Sequence, residues 1–486
     1  MSYLNIWGSG LEDLEPVVDD NPAEVVDLPE AETDVLVAAA EADDAVADLI
    51  DAEIVSDTAD EAAATNFSVL SASNDVAAAL EELRDVPMTR AVARHAVYNA
   101  VRQATRGMYD VSGKMGSMES FGDEAPSSVL IGHGLEGLDG FIKKLKERLQ
   151  VNLKQSTLSL SEFLEAFTVS TKSVSKRAQA VLDLAKTVSR EPSTSSIQLE
   201  FKHAVKMSLG GRLATGIPGE ISKISKLSKV VFQDHTKRVN ESIDDVSAYF
   251  GKFTGMDFDQ ANKHYEKLTS LAPVQFIECK TKEQSKSGPT VNVSRSYELL
   301  GGKCFVSETY LPKSTGNACQ DAFDYATVAV PNSRNSIQDL SNRVNTNMDL
   351  SMKTLKPAEI IRIAEEVVSL MKELENNTIK KTIFAELMER LDVNDGGYGV
   401  SQVLVKGTDG GEDTKVPDAE FARFLGSIED AMYGFITMYT NALTSLPKDY
   451  ISYATSEANA ALAVCERSLA CYPELVGSKI GENQPA

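Results

Sequence analysis

Residues 132–137 read Gly132-His133-Gly134-Leu135-Glu136-Gly137, a literal GxGxxG whose glycines could bring a helix N-terminus against a pyrophosphate. Such a site needs the glycines inside a βαβ unit, with an acidic residue closing a second strand about 20 residues on. Here the leading apolar run, Val129-Leu130-Ile131, is short, and Val151 to Ser156 supplies neither a strand nor a terminal carboxylate. A hinge is the expected role. A nucleotide-dependent enzyme built on Gly132, Gly134 and Gly137 ranks third among the functional readings.

Other chemistry-bearing patterns are incomplete. Asp392-Val393-Asn394-Asp395-Gly396-Gly397 starts like a calcium loop, but Gly396 holds its fifth position and Val403 its twelfth, where a bidentate Glu belongs. Three tandem triplets, Ile221-Ser222-Lys223, Ile224-Ser225-Lys226 and Leu227-Ser228-Lys229, set lysines three apart on a predicted helix. Lys223, Lys226 and Lys229 are therefore candidate non-specific phosphate contacts. A solvated amphipathic face is the simpler reading, because Glu220 and Asp234 dilute the patch and no aromatic residues interleave. The five histidines are scattered without metal-ligand spacing, and the five cysteines form no CxxC. Reduced thiols acting as small hydrophobes are expected, with no catalytic residue, cofactor or metal ligand identifiable.

Charge organises the chain more clearly than any motif. Met1 to Leu83 holds twenty-two Asp and Glu residues and no Lys or Arg. Through Glu119 the balance is 25 acidic to 6 basic residues, a net of -19 out of -24 for the whole chain. Residues 120–486 are nearly neutral. A segment rich in Ala, Val and Asp, with Tyr3, Trp7 and Phe67 as its aromatics before Leu83, has little bulky apolar surface to offset ordering entropy. It is expected to be largely disordered, with one helix from about Asn74 to Arg106. No apolar run reaches the length of a membrane span, and the N-terminus lacks a basic signal region.

The rest predicts a mainly α protein with a small antiparallel β-module, an α+β class in which a helical bundle follows the acidic leader. Gly107 to Pro126 is Gly- and Ser-rich and, with 120–136, reads as a flexible junction. The bundle is expected over 137–272, with one helix on the Leu138, Phe141, Ile142, Leu145, Leu149 stripe. A second follows Val174, Ala178, Val181, Ala185 and Val188, and a third runs from Pro218 to about Phe250. Over 273–335, Val274–Cys279, Val291–Leu300 and Lys303–Tyr310 are predicted strands, the last two joined at Gly301-Gly302. Helices return over 336–473, starting at Pro357, with a Gly-rich loop near 392–416 and a break at Pro447; 474–486 reads as a tail.

This layout, with its β-insert Tyr297-Glu298-Leu299-Leu300-Gly301-Gly302-Lys303, resembles the internal head proteins of giant tailed bacteriophages. The resemblance implies a non-enzymatic structural protein of the virion interior, assembled in the host cytoplasm in multiple copies. Its implied partners are capsid or scaffold proteins, a maturation protease and, non-specifically, packaged DNA, with no membrane. It also implies proteolytic removal of a propeptide after a small residue, any residue and Glu. Ser117-Met118-Glu119, followed by Ser120, matches that signal. So do Gly10-Leu11-Glu12, Ala39-Ala40-Glu41, Ala59-Asp60-Glu61, Ala79-Leu80-Glu81, Gly122-Asp123-Glu124 and Gly134-Leu135-Glu136. Glu119 is the expected site because it lies in the connector and separates the acidic block from the body. The alternative is a cytosolic interaction protein that keeps its acidic tail to bind basic partners.

Overall fold

The computed structural model describes residues 30–475 apart from 101–126, 341–347, most of 378–417 and a few shorter stretches. The fold class is the expected one: mainly α, with small antiparallel sheets.

Order in the acidic leader reaches further than its composition suggests. Glu30–Glu82 is one helix of 53 residues, α1, about 80 Å long at 1.5 Å per residue. Val35, Ala38, Ala42, Ala45, Val46 and Leu49 are buried along one side of it. Ala is the best helix former, and its small side chain lets neighbouring helices approach closely. Tertiary packing thus supplies what the sequence seemed to lack in bulk. The predicted 74–106 helix is interrupted after Glu82, five residues before Pro87. That proline disfavours helical geometry in the residue before it. Helical backbone resumes among residues 92–100, where Ala93 and Val97 are buried.

The predicted junction also yields partly to helix. α2 (Ser127–Thr187, 61 residues) absorbs residues 127–136 and merges the two stripes expected as separate helices. In its Ser/Thr-rich middle the hydroxyls are satisfied by the preceding turn: Thr168 Oγ1 donates to Leu164 O at 2.8 Å and Thr171 Oγ1 to Phe167 O at 3.1 Å. α1 runs antiparallel to α2, with Glu41 beside Lys176 near the far end of the pair.

Beyond α2 come β1 (Ser196–Gln198), α3 (Phe201–Lys206), β2 (Ser208–Leu209) and β3 (Arg212–Leu213). Next, α4 (Ile217–Lys229) passes through a π-turn into α5 (Thr236–Gly251), and α6 spans Phe258–Tyr265. The main sheet orders β4 (Thr281–Gln284), β5 (Val291–Arg295), β6 (Lys303–Tyr310) and β7 (Arg334–Asp339) as antiparallel neighbours. Arg295 pairs with Val306, and Val306 with Ser336. Val274–Cys279 is not a strand. Its Phe276 is buried in an irregular segment whose N–H donates to Asn335 Oδ1 at 3.0 Å. Between β6 and β7 the chain forms α7 (Ala318–Asp324) and α8 (Val330–Asn332), a helical excursion that the strand pattern did not predict. β8 (Ser351–Lys353) returns to pair with β1.

The last two helices are α9 (Pro357–Asn376) and α10 (Asp418–Leu469). α10 contains Pro447 without ending there. Leu446, Tyr450 and Ile451 are fully buried on either side of the proline, and their packing offsets its missing N–H. α10 serves two cores. Its first half, from Phe424 to Leu443, packs with α5, α6, α7 and α8; its second half packs with α1, α2, α4, α9 and the Leu299-Leu300 turn.

Candidate functional site

The most heavily charged contact described is the seat of α1 against α2 and α10. At its centre lies Lys448, fully buried immediately after Pro447. Nζ donates to Ser56 Oγ at 2.8 Å, to Asp57 Oδ1 at 2.9 Å and to Asp60 Oδ2 at 2.9 Å. An ammonium has three N–H donors, and all three go to the acidic helix. Burial alone would favour neutral lysine, but Asp60 and Asp57 outweigh it and hold the ammonium above its ordinary pKa.

About 20 Å further along α1 toward its N-terminus, from Asp57 to Asp43, a second buried cation recurs. Arg177 of α2 grips Glu466 of α10 with two bonds, Nε to Oε1 at 2.8 Å and a terminal nitrogen to Oε2 at 2.6 Å. Its other terminal nitrogen donates to Asp43 Oδ1 at 2.9 Å and Asn459 Oδ1 at 2.6 Å. Asn459 Nδ2 adds a 2.7 Å bond to Asp43. Burial would raise the Asp43 pKa, yet Arg177 and Asn459 hold it below the usual carboxylate range. Lys176 and Glu41, 2.7 Å apart, form an exposed pair at the rim.

Beside Lys448, carboxylate oxygens of Glu53, Asp57 and Asp449 come within 4.8 Å of one another. Burial, with Asp57 nearby, pushes Glu53 up to about 7 against the pull of Ser452 and Lys448. Burial and Glu53 likewise raise Asp449, although Ile337 N–H donates to it at 3.0 Å. Lys448 is the cation beside this cluster, and burial favours the neutral forms of Glu53 and Asp449. Sequence reasoning missed these residues. A signal was present: Arg177 falls between Val174 and Ala178 on an apolar stripe, and Lys448 follows one of the most apolar stretches of the chain. A cation on such a face is a charge that needs a partner.

The residues singled out from sequence are dispersed. Ser117, Met118, Glu119 and Ser120 lie outside the described residues, as does the 392–403 loop. Lys223, Lys226 and Lys229 project from the exposed side of α4, with Lys223 Nζ 2.7 Å from Glu220 Oε1. Gly132, Gly134 and Gly137 fall inside α2, with no strand leading into them, which removes the strand-turn-helix geometry of a dinucleotide site. All five cysteines are free, and Cys304, Cys465 and Cys471 are buried.

No curated protein and no solved structure matches the chain. A family model does match, over residues 30–467, beginning where α1 begins and ending within the last turn of α10. The acidic helix and its seat therefore lie within the matched region, and the chain belongs to the phiKZ-like phage internal head proteins.

Proposed function

We propose that the protein is a non-enzymatic structural component packed inside the phage head, made with an acidic leader that a maturation protease cuts after Glu119. The observation that carries the cleavage site is the position of the small-x-Glu matches relative to the helices. Glu41, Glu61 and Glu81 lie within α1, and Glu136 within α2. Proteases bind extended backbone, so regular helix protects those bonds. The three remaining matches, Ser117-Met118-Glu119, Gly122-Asp123-Glu124 and Gly10-Leu11-Glu12, lie outside the described residues. Of the three, Glu119 lies in the Gly- and Ser-rich connector, and a cut there removes -19 of the -24 charges in one step.

On this reading the carboxylates hold the precursor near basic scaffold or capsid surfaces and repel nucleic acid. Loss of -19 out of -24 charges then yields a body compatible with dense DNA, touching phosphates non-specifically through Lys223, Lys226 and Lys229. The alternative, a free acidic tail for basic partners, is disfavoured because α1 is already paired with Arg177 and Lys448 of its own body. Mass spectrometry of the protein from purified virions is the test. A new terminus at Ser120 is expected; peptides that span the Glu119–Ser120 bond, with no terminus at Ser120, would overturn the cleavage.

A further inference from the structure

The cut and the loss of the leader are different events. The connector joins α1 to α2 at one end of their antiparallel pair, whereas α1 is held along its length by side chains. Val35, Ala42, Val46 and Leu49 share one core with Phe163, Phe167, Val174 and Val181 of α2 and with the second half of α10. Asp43 is tied to Arg177 and Asn459, and Asp57 and Asp60 to Lys448. Hydrolysis after Glu119 breaks none of these contacts.

We propose that the severed leader stays on the body as a separate, non-covalently bound chain, seated through α1 in the groove between α2 and α10. The proposal rests on the reading that the connector is cut, and it adds the partner: the leader itself, an acidic amphipathic helix.

The two cations contribute unequally to retention. Arg177 keeps Glu466 of its own body when α1 leaves, so it is never stripped of charge partners. Lys448 instead loses all three of its hydrogen-bond acceptors, which belong to α1, and is left with Asp449 of its own helix as the nearby carboxylate. Departure of α1 uncovers this ammonium together with the apolar floor around Phe163, Phe167 and Val174. Both changes oppose release. The fall in charge therefore waits for α1 to leave, after the cut itself. Trimming at Glu41 or Glu61 would require α1 to unseat first, since both residues are helical.

The test uses the full chain with a recognition sequence for a site-specific protease inserted at Gly116, so that nicking does not depend on any native enzyme. After complete cleavage at neutral pH and moderate salt, the leader is expected to co-elute with the body in size-exclusion chromatography. A leader eluting alone, from a body that stays folded by circular dichroism, would overturn the proposal. Asp57→Asn combined with Asp60→Asn alters only the detachable chain. It should speed leader dissociation by about 100-fold or more, from the scale of breaking a buried ion pair. Unchanged dissociation would overturn the role given to Lys448. If virions contain only uncut protein, the cleavage reading fails, while the nicked chain still reports whether the seat holds.

Discussion

The Lys448 ammonium lies 2.9 Å from Asp60 Oδ2, the lysine fully buried and the aspartate side chain 12% exposed. Asp57, at the same distance, is 44% exposed and partly screened by water. Asp60 should therefore carry more of the coupling. Lys448→Met leaves Asp60 without its counter-charge and should destabilise the chain by about 3 kcal/mol, the scale for breaking one side of a buried pair. Adding Asp60→Leu should recover much of that loss, because an apolar pair needs no charge balance. Urea unfolding of the two single variants and the double variant closes the cycle. A coupling below about 0.5 kcal/mol would mean that the pair is solvated.

The carboxylates around Lys448 give the seat a pH dependence of definite sign. Glu53 faces Asp57 on its own helix, Lys448, Asp449 and Ser452 on α10, and Lys303 at the start of β6. Its pKa is about 7 when seated, against 4.5 for the ordinary group. Between those values the seated helix binds more protons than the free one, so seating is strongest at the acid end and weakens as pH rises toward 7. Asp449 is shifted the same way. Asp43 is depressed, so its contribution is lost only below the ordinary aspartate range. The loss between pH 5 and 8 should be on the order of 2 kcal/mol. Amide hydrogen exchange in α1, corrected for intrinsic rates, should show protection falling over that interval. Glu53→Gln should flatten most of the profile, and protection that rises with pH would contradict the assignment.

Local rules carried much of the architecture. Gly301 and Gly302 both have positive φ, +71° and +67°, as a turn without Cβ allows. Pro357 begins α9, and Ile360, Ile363, Val367, Leu370, Met371 and Leu374 form its buried face. What could not be read locally depends on distant partners. The alanines and valines of α1 look too slight for a core until α2 and α10 close around them, and Asp43 lies 416 residues from Asn459. Likewise, the GxGxxG spacing is a loop signature only where a strand precedes it. In α2 the glycines carry a helix penalty of about 1 kcal/mol each.

Gly434 gives the sharpest test of how α10 spans the two cores. A Cβ placed there would run into the carbonyl oxygen of Ala326 and lie 3.0 Å from its carbonyl carbon, in the π-turn between α7 and α8. The obstacle is backbone, so no rotamer change relieves it. Gly434→Ala should cost about 3 kcal/mol or more, at the upper end of overpacking effects, because the crossing must open to admit one methyl. Gly426, also on α10, is the internal control: a Cβ there meets nothing within 4 Å. Gly426→Ala should instead stabilise the helix by up to about 1 kcal/mol through propensity. Thermal unfolding of the two variants should therefore shift in opposite directions. Similar melting temperatures would mean that α10 and residues 325–329 stand further apart in solution than this crossing allows.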